Sequence, residues 1–224
     1  MLRDLFVRGD YALPLDLTGK ISTVVDLGGY TGLTTLYFLD RYPQARIVAV
    51  EPDPTNCACL RRNIESTSAS VEVVQACIAN KSGTVRFRTE GPSWGRSITS
   101  EDGVEVPCLT ITELLQMHGL ETVDLLKMDI EGAEALAFES SAQWLEKVGW
   151  LLMELHPHAM TVAQLIRAVT ASRRRLFLRV AAGWIDVTDQ SNRDFAAAGM
   201  GMDFAIPPPD ISERFRGGTI AAGS

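Results

Sequence analysis

No uninterrupted apolar run in this 224-residue sequence approaches the roughly 20 residues that a membrane-spanning helix needs. The amino terminus, Met1-Leu2-Arg3-Asp4, sets charges ahead of any apolar run and so lacks the form of a signal peptide. Both absences lead to the expectation of a cytoplasmic protein. Positive charge is not in excess either, since 21 basic residues stand against 28 acidic ones for a net charge of −7. That argues against nonspecific binding to nucleic acid or anionic membranes, which rests on basic surface. The four cysteines, Cys57, Cys59, Cys77 and Cys108, lack the paired spacing of a zinc site and read as buried reduced thiols. The sequence also lacks the G-x-G-x-x-G turn of a dinucleotide-binding fold. It has no internal repeat and no second linker.

What is present is an ordinary globular composition, 46% hydrophobic and 22% charged. A chain of this length can bury about 70% of its unfolded surface without staples. Strand-length apolar runs alternate with helical stretches, which is the pattern of a parallel sheet with crossover helices. The expected strands are Ser22–Leu27, Arg46–Glu51, Val71–Ala76, Val123–Asp129 and Trp150–Leu155, with a closing pair at Leu176–Ala182 and Met202–Ile206. Helices are expected at Thr34–Tyr42, from Pro54 to about Glu65, at Thr110–Met117, over 132–147 and at Thr161–Ser172. Residues 83–88 read as an edge or hairpin strand, and 89–103 as a long loop of lid or binding type. The chain divides into a short amino-terminal cap segment (1–21), one folded domain (22–210) and a flexible tail (211–224).

Asp26-Leu27-Gly28-Gly29-Tyr30-Thr31-Gly32 lies between the first strand and a helix, where glycines let the backbone approach a nucleotide closely. An acid at the strand end would repel a pyrophosphate and favour an amine or a sulfonium. S-adenosylmethionine (SAM) carries both and has no phosphate. This reading disfavours a nicotinamide-dependent oxidoreductase. Glu51, 25 positions on, ends the second strand, where a carboxylate can accept from both ribose hydroxyls.

The segments VVDLGGYTG, VAVEPDPTNCACLRRNIE, IANKSGTVRF and LLKMDIEGAE resemble successive motifs of FkbM-type SAM-dependent methyltransferases, from about Val24 to His156. The resemblance implies an α/β fold: a three-layer α-β-α sandwich around a Rossmann-like class I methyltransferase sheet, mainly parallel with an antiparallel closing strand. It implies O-methylation of a sugar or natural-product hydroxyl, with Gly28, Gly29, Tyr30, Gly32, Glu51, Pro52, Asp129, Cys77 and Ile78 around the cofactor, the last two flanking the adenine. Tyr30 departs from the family, which often has Asn there, and the segment before the first strand is short for a cap.

At the ends of the fourth and fifth strands, period-two spacing sets Asp129 and Glu131 on one side, and likewise Glu154 and His156. Two kinds of work are open to them. His156 could take the proton of a substrate hydroxyl. Alternatively, Asp129 with Glu154 could hold Mg²⁺, acidifying a bound hydroxyl. The plainer roles also stand: Asp129 and Glu131 as caps of the following helix, and His156, before Pro157, as a turn residue. Lys127 is expected to pair with an acid of the cluster, and Glu134 to face solvent or a neighbouring cation. His158 and His118 carry weaker signals. Trp94 and Arg96, in GPSWGRS, are candidates for stacking on and hydrogen-bonding an acceptor. Arg173-Arg174-Arg175 reads as a solvated helix end rather than a nucleic-acid patch. The function expected is methyl transfer from SAM to a hydroxyl of a small molecule. A catalytically degenerate SAM-binding protein and an N- or carboxyl-methyltransferase remain alternatives, and a homodimer is possible.

Overall fold

The structure, a computed structural model, describes residues 11, 13, 20–67, 70–88, 98–99, 103–139, 142–156, 158–180, 183–188 and 202–209. Trp94, Arg96, most of the 89–103 loop, most of the cap segment and the 211–224 tail lie outside the described residues.

The main sheet is built from β1 (Thr23–Leu27), β2 (Arg46–Val50), β3 (Val71–Val74), β8 (Val123–Met128), β9 (Val148–Leu155), β10 (Phe177–Val180), β11 (Gly183–Asp186) and β12 (Met202–Ile206). Its strand order is β11-β10-β12-β9-β8-β1-β2-β3. The five strands from β9 to β3 are parallel. β12 runs antiparallel to β9, and β10 antiparallel to β12. The expected parallel sheet with its antiparallel closing pair is therefore present, extended by one strand, because β10 turns back into β11 as a hairpin.

Period-two alternation splits the strands between two cores. Val25, Leu27, Val48, Leu126 and Met128 face Leu114, Leu115, Leu165 and Val169 of helices α3 (Ile111–Met117) and α5 (Val162–Ala171). Val24, Ile47, Leu125 and Trp150 face Phe38, Leu39 and Tyr42 at helix α1 (Leu33–Arg41). Helix starts follow local chemistry. Asp53 caps α2 (Pro54–Ile64) by accepting from the Thr55 and Asn56 amides, with Pro54 in the first turn. Capping boxes, Thr110 with Glu113 and Thr161 with Gln164, open α3 and α5.

Two expectations need correction. The helix over 132–147 is a short α4 (Glu134–Glu139) followed by a 3₁₀ turn (Ala142–Lys147). The Trp144 indole donates to the Ala137 carbonyl and takes an acceptor that a continuing helix would use. Part of the 89–103 segment is also strand. β6 (Ile98–Thr99) joins β5 (Gly83–Phe87), β7 (Val104–Leu109) and β4 (Cys77–Ile78) in a second sheet of order β4-β7-β5-β6. Pro107 hides β7 in the sequence, since proline argues against a central strand. The structure accommodates it because β7 pairs with β4 only at Cys108 and Leu109.

Candidate active site

The carboxyl ends of β1, β2, β8 and the start of β4 surround one cavity of about 630 Å³, within the range of small-molecule sites. The turn after β1 forms its floor. Gly28 and Gly29 donate their N–H groups to the Val50 carbonyl at 2.9 and 3.0 Å, tying that turn to β2. Gly28 has φ 79°, and a Cβ there would sit 1.7 Å from the Asp129 carbonyl oxygen. Only glycine fits where the turn crosses the end of β8. Tyr30 is held at φ 47°, a conformation that Asn tolerates more readily than Tyr.

Glu51 is 5% exposed on the cavity wall. Its Oε2 accepts the Tyr30 amide at 2.9 Å, while Oε1 accepts the Asp53 amide at 3.0 Å and the Asn56 side-chain amide at 3.1 Å. Burial pushes its pKa up, against the lowering effect of these bonds. The bonds fix its rotamer and leave capacity on Oε2 for a ligand hydroxyl. Beside it, Val50, Ala76, Cys77, Ile78, Phe87 and Leu136 make an apolar slot. Burial raises the Cys77 thiol to about 12, so it packs as a small apolar group rather than a nucleophile.

The opposite rim is charged. Gly28, Tyr30, Pro52, Lys127, Asp129 and Glu131 all reach the wall. Asp26 does not. It is completely buried, accepting from the Thr35 hydroxyl at 2.8 Å and pairing with Lys127 at 3.2 Å. Asp26 therefore does not reach the cavity where a direct contact with a bound cation was expected, and stands behind Lys127, whose Nζ also donates to the Gly28 carbonyl at 2.7 Å. Gly29 and Gly32 likewise stand behind the wall, under Leu60.

Asp129, Glu131 and His156 each bring one ligand atom to within 4.8 Å of the others. Among the described residues Glu154 is not part of this group of three, which adds Glu131 and His156 to the candidates beside the expected pair of Asp129 with Glu154. Glu131 owes its position to an unusual backbone, φ 52°, followed by Gly132 at φ 98°. Burial and the Asp129 charge raise the Glu131 carboxyl to about 7. Burial, then Asp129 and Asp203, do the same to Glu154. For His156, burial alone would lower the pKa. The hydrogen bond to Glu134 and the charges of Glu134, Asp129 and Glu154 outweigh it and raise the ring to about 9. His156 in this arrangement is a cation at neutral pH rather than a ready base.

Two contributors, Tyr11 and Asn56, were not singled out by sequence. Glu134, expected to face solvent or a neighbouring cation, meets the latter: it is completely buried against His156 Nδ1 at 2.8 Å. Its i+3 spacing from Glu131 marks only one helical turn, and the left-handed pair at 131–132 redirects it inward. Tyr11, from the amino-terminal segment, lines the cavity and donates to Asp129 Oδ2 at 3.3 Å. Asn56 supports Glu51. His158 also lines the cavity, its ring beside Gly132. His118 lies elsewhere, bonded to Glu72 at 2.7 Å.

The family model for the methyltransferase FkbM domain matches residues 26–177. The chain belongs to the FkbM methyltransferase family. The match takes in both strand-end clusters and leaves Tyr11 outside. Among curated relatives, "Methyltransferase sdnD" of Sordaria araneosa is 29% identical over 151 residues, covering 50% of this chain and 57% of its own. "2-O-methyltransferase NoeI" of Sinorhizobium fredii is 22% identical over 167 residues, covering 65% and 68%. The crystal structure of an FkbM methyltransferase from Methylobacillus flagellatus superposes with a TM-score of 0.58 at 15% identity, covering 83% of this chain and 43% of that one. At that identity the likeness is one of fold. This FkbM-family chain spans little more than half the length of sdnD. Among the described residues, no helix is long and apolar enough to cross a membrane.

Proposed function

We propose that this FkbM-family chain transfers a methyl group from SAM to a hydroxyl of a small molecule of sugar or natural-product type. The observation that carries the reading is the division of one cavity into an apolar slot beside a fixed Glu51 and an acidic rim. The slot suits a purine, the Glu51 carboxylate suits ribose hydroxyls, and the rim of Asp129 and Glu131 suits the sulfonium and amine. Lys127, the one lysine among the described residues of the wall, is paired with Asp26 and Asp129, so the donor set favours a cationic nucleoside over a phosphorylated one. The name of the NoeI relative as a 2-O-methyltransferase supports oxygen as the acceptor atom.

SAM supplies the electrophilic methyl carbon when bound. The residues of the chain hold it and orient the acceptor. Glu131, with its carboxyl near 7, is suited to receive the hydroxyl proton. A bound SAM would give up its methyl carbon to the hydroxyl oxygen and keep the C–S bonding electrons on sulfur, while the hydroxyl proton would pass to Glu131. His156 donates toward the same oxygen rather than accepting from it. A second arrangement has support in the grouping of Asp129, Glu131 and His156. Those three would hold a divalent cation such as Mg²⁺, which would acidify the hydroxyl.

Calorimetry tests the cofactor. SAM binding should be micromolar, and Glu51→Gln should weaken it by about 10-fold or more. No binding, or equal binding by the variant, would sink the reading. Methyl-labelled SAM with a panel of glycosides, amines and carboxylic acids then identifies the acceptor. Binding without transfer to any of them would favour a degenerate SAM-binding protein, and label on nitrogen or carboxylate would favour the other methyltransferase classes.

A further inference from the structure

We propose that Glu134 is a positioning residue of the site: its buried carboxylate fixes both the His156 ring and the turn that carries Glu131, so that His156 Nε2 and the Glu131 carboxylate face one reacting hydroxyl. The inference rests on the methyl-transfer reading above and assigns a role to a side chain outside the cavity wall.

Glu134 opens α4 and is completely shielded from water. A carboxylate in that position is costly unless its partners are well placed. Oε1 accepts from His156 Nδ1 at 2.8 Å and from the Gly132 N–H at 3.2 Å. Oε2 is buried and has no hydrogen-bond partner among the described residues. An arrangement serving stability alone has no need of a charged group here, since apolar replacements of buried ions are often neutral or stabilising.

The two bonds to Oε1 explain the geometry around it. With Nδ1 engaged, the ring presents Nε2 on its far side, 3.5 Å from Glu131 Oε2. Engagement with a carboxylate also holds the Nδ1 proton and the orientation of the charged ring, so that its Nε2–H is turned toward the site, in the manner of the carboxylate–histidine pairs that orient reactive imidazoles. The Gly132 bond anchors the second of two successive left-handed residues, Glu131 at φ 52° and Gly132 at φ 98°. Such conformations persist only where the surroundings over-determine them. His158 closes the other side of Gly132, with its Nε2 2.7 Å from where a Cβ would stand. One carboxylate thus couples a donor just past the end of β9 to an acceptor from the turn after β8.

The test uses the full chain labelled with ¹⁵N-histidine, with S-adenosylhomocysteine bound, as wild type, Glu134→Gln and Glu134→Ala; His156→Gln assigns the signal. Wild type should show a protected Nδ1 proton on His156, and the variants should lose it while affinity for S-adenosylhomocysteine stays within about threefold. With the acceptor identified from the glycoside panel, kcat of both variants should fall roughly 10- to 100-fold, with KM for SAM little changed. A wild-type ring without the Nδ1 proton, or variants with wild-type kcat, would overturn the proposal. So would kcat and cofactor affinity falling in parallel, which is the mark of a merely structural role. If Glu134→Ala does not fold, Glu134→Gln, of nearly the same shape, carries the comparison. A wild-type chain that binds no S-adenosylhomocysteine would instead overturn the methyl-transfer reading beneath it.

Discussion

Lys127 Nζ lies 3.2 Å from Asp26 Oδ1 and 3.8 Å from Asp129 Oδ2, with the Lys127 side chain 1% exposed and that of Asp26 fully buried. Burial alone would pull the ammonium pKa down, but Asp26 and Asp129 carry it above its ordinary value. The same Nζ donates to the Leu27 and Gly28 carbonyls. One lysine therefore balances the acid before the glycine turn, orients the acid on the rim and ties the turn to β8.

Lys127→Met should cost about 3–5 kcal/mol in urea unfolding, because it strands Asp26 in the interior. The double variant Asp26→Asn/Lys127→Met should regain part of that loss. Equal loss in the single and double variants would show that packing, not the ion pair, sets the cost.

The sequence made the parallel sheet readable because its strands are short apolar runs, most of them cut off by Gly, Pro or Asp. Strand ends are also where period two sets Glu51, Asp129 and Glu131. What it could not reveal depends on contacts distant in the chain. Asp26 reads as a ligand until Lys127, 101 residues on, is seen against it. Glu134 reads as facing solvent or a neighbouring cation, and only the structure names that cation as His156, 22 residues on. Tyr11 stands in a segment with no pattern, and only the fold brings it to Asp129. The β7 strand was obscured by Pro107 for a local reason, although its partners β4 and β5 were within reach.

Gly28→Ala should be far more damaging than Gly119→Ala. Both glycines have positive φ, but an added Cβ meets the Asp129 backbone oxygen at 1.7 Å in the first and nothing within 4 Å in the second. Backbone strain at Gly119 should cost on the order of 1 kcal/mol. At Gly28 the end of β8 must also move, so several kcal/mol and the loss of SAM binding are expected. Similar urea midpoints for the two variants would contradict this account.

Stability should fall as pH rises from about 5 to 9. The folded-state pKa of His156 is raised to about 9, so its contribution is complete below its unfolded value near 6.5 and is lost as pH rises through 9. Glu131 and Glu154, raised to about 7, act with the same sign at lower pH, losing their contributions between about 4.5 and 7. The His156 ring is 13% exposed, and its share is on the order of 2 kcal/mol. Urea unfolding in EDTA at pH 6, 7.5 and 9.5 should follow this slope, and His156→Gln should flatten it above pH 7. A profile that rises between pH 7 and 9 would contradict the charged Glu134–His156 pair.

Chelation separates the two ways of activating the hydroxyl. If the carboxylates act alone, EDTA leaves both SAM affinity and methyl transfer unchanged. If Asp129, Glu131 and His156 hold a cation, EDTA abolishes transfer while SAM still binds, and Mg²⁺ or Mn²⁺ restores it. In that case Mn²⁺ binding followed by electron paramagnetic resonance should weaken by 10-fold or more in Asp129→Asn. Unaltered Mn²⁺ binding in that variant would remove Asp129 from any such site.

Arg173, Arg174 and Arg175 form a basic run in sequence but not in space, and their substitutions should diverge. Arg174 is 3% exposed, and its guanidinium donates to the carbonyls of Leu145, Val148 and Gly149 at 2.7, 2.5 and 2.9 Å. It thereby holds the 3₁₀ turn against the start of β9. Arg175 pairs with Asp186 on β11. Arg173 is exposed at φ 56°. Arg174→Ala removes the guanidinium that these carbonyls accept from and should cost about 3–5 kcal/mol in urea unfolding. Arg174→Lys should recover little, because one ammonium cannot reproduce a planar fork with five donors. Arg173→Gly should be neutral or slightly stabilising, since glycine removes the left-handed strain. A uniform small effect across Arg173 and Arg174 would mean that the run is the solvated helix end its sequence suggests.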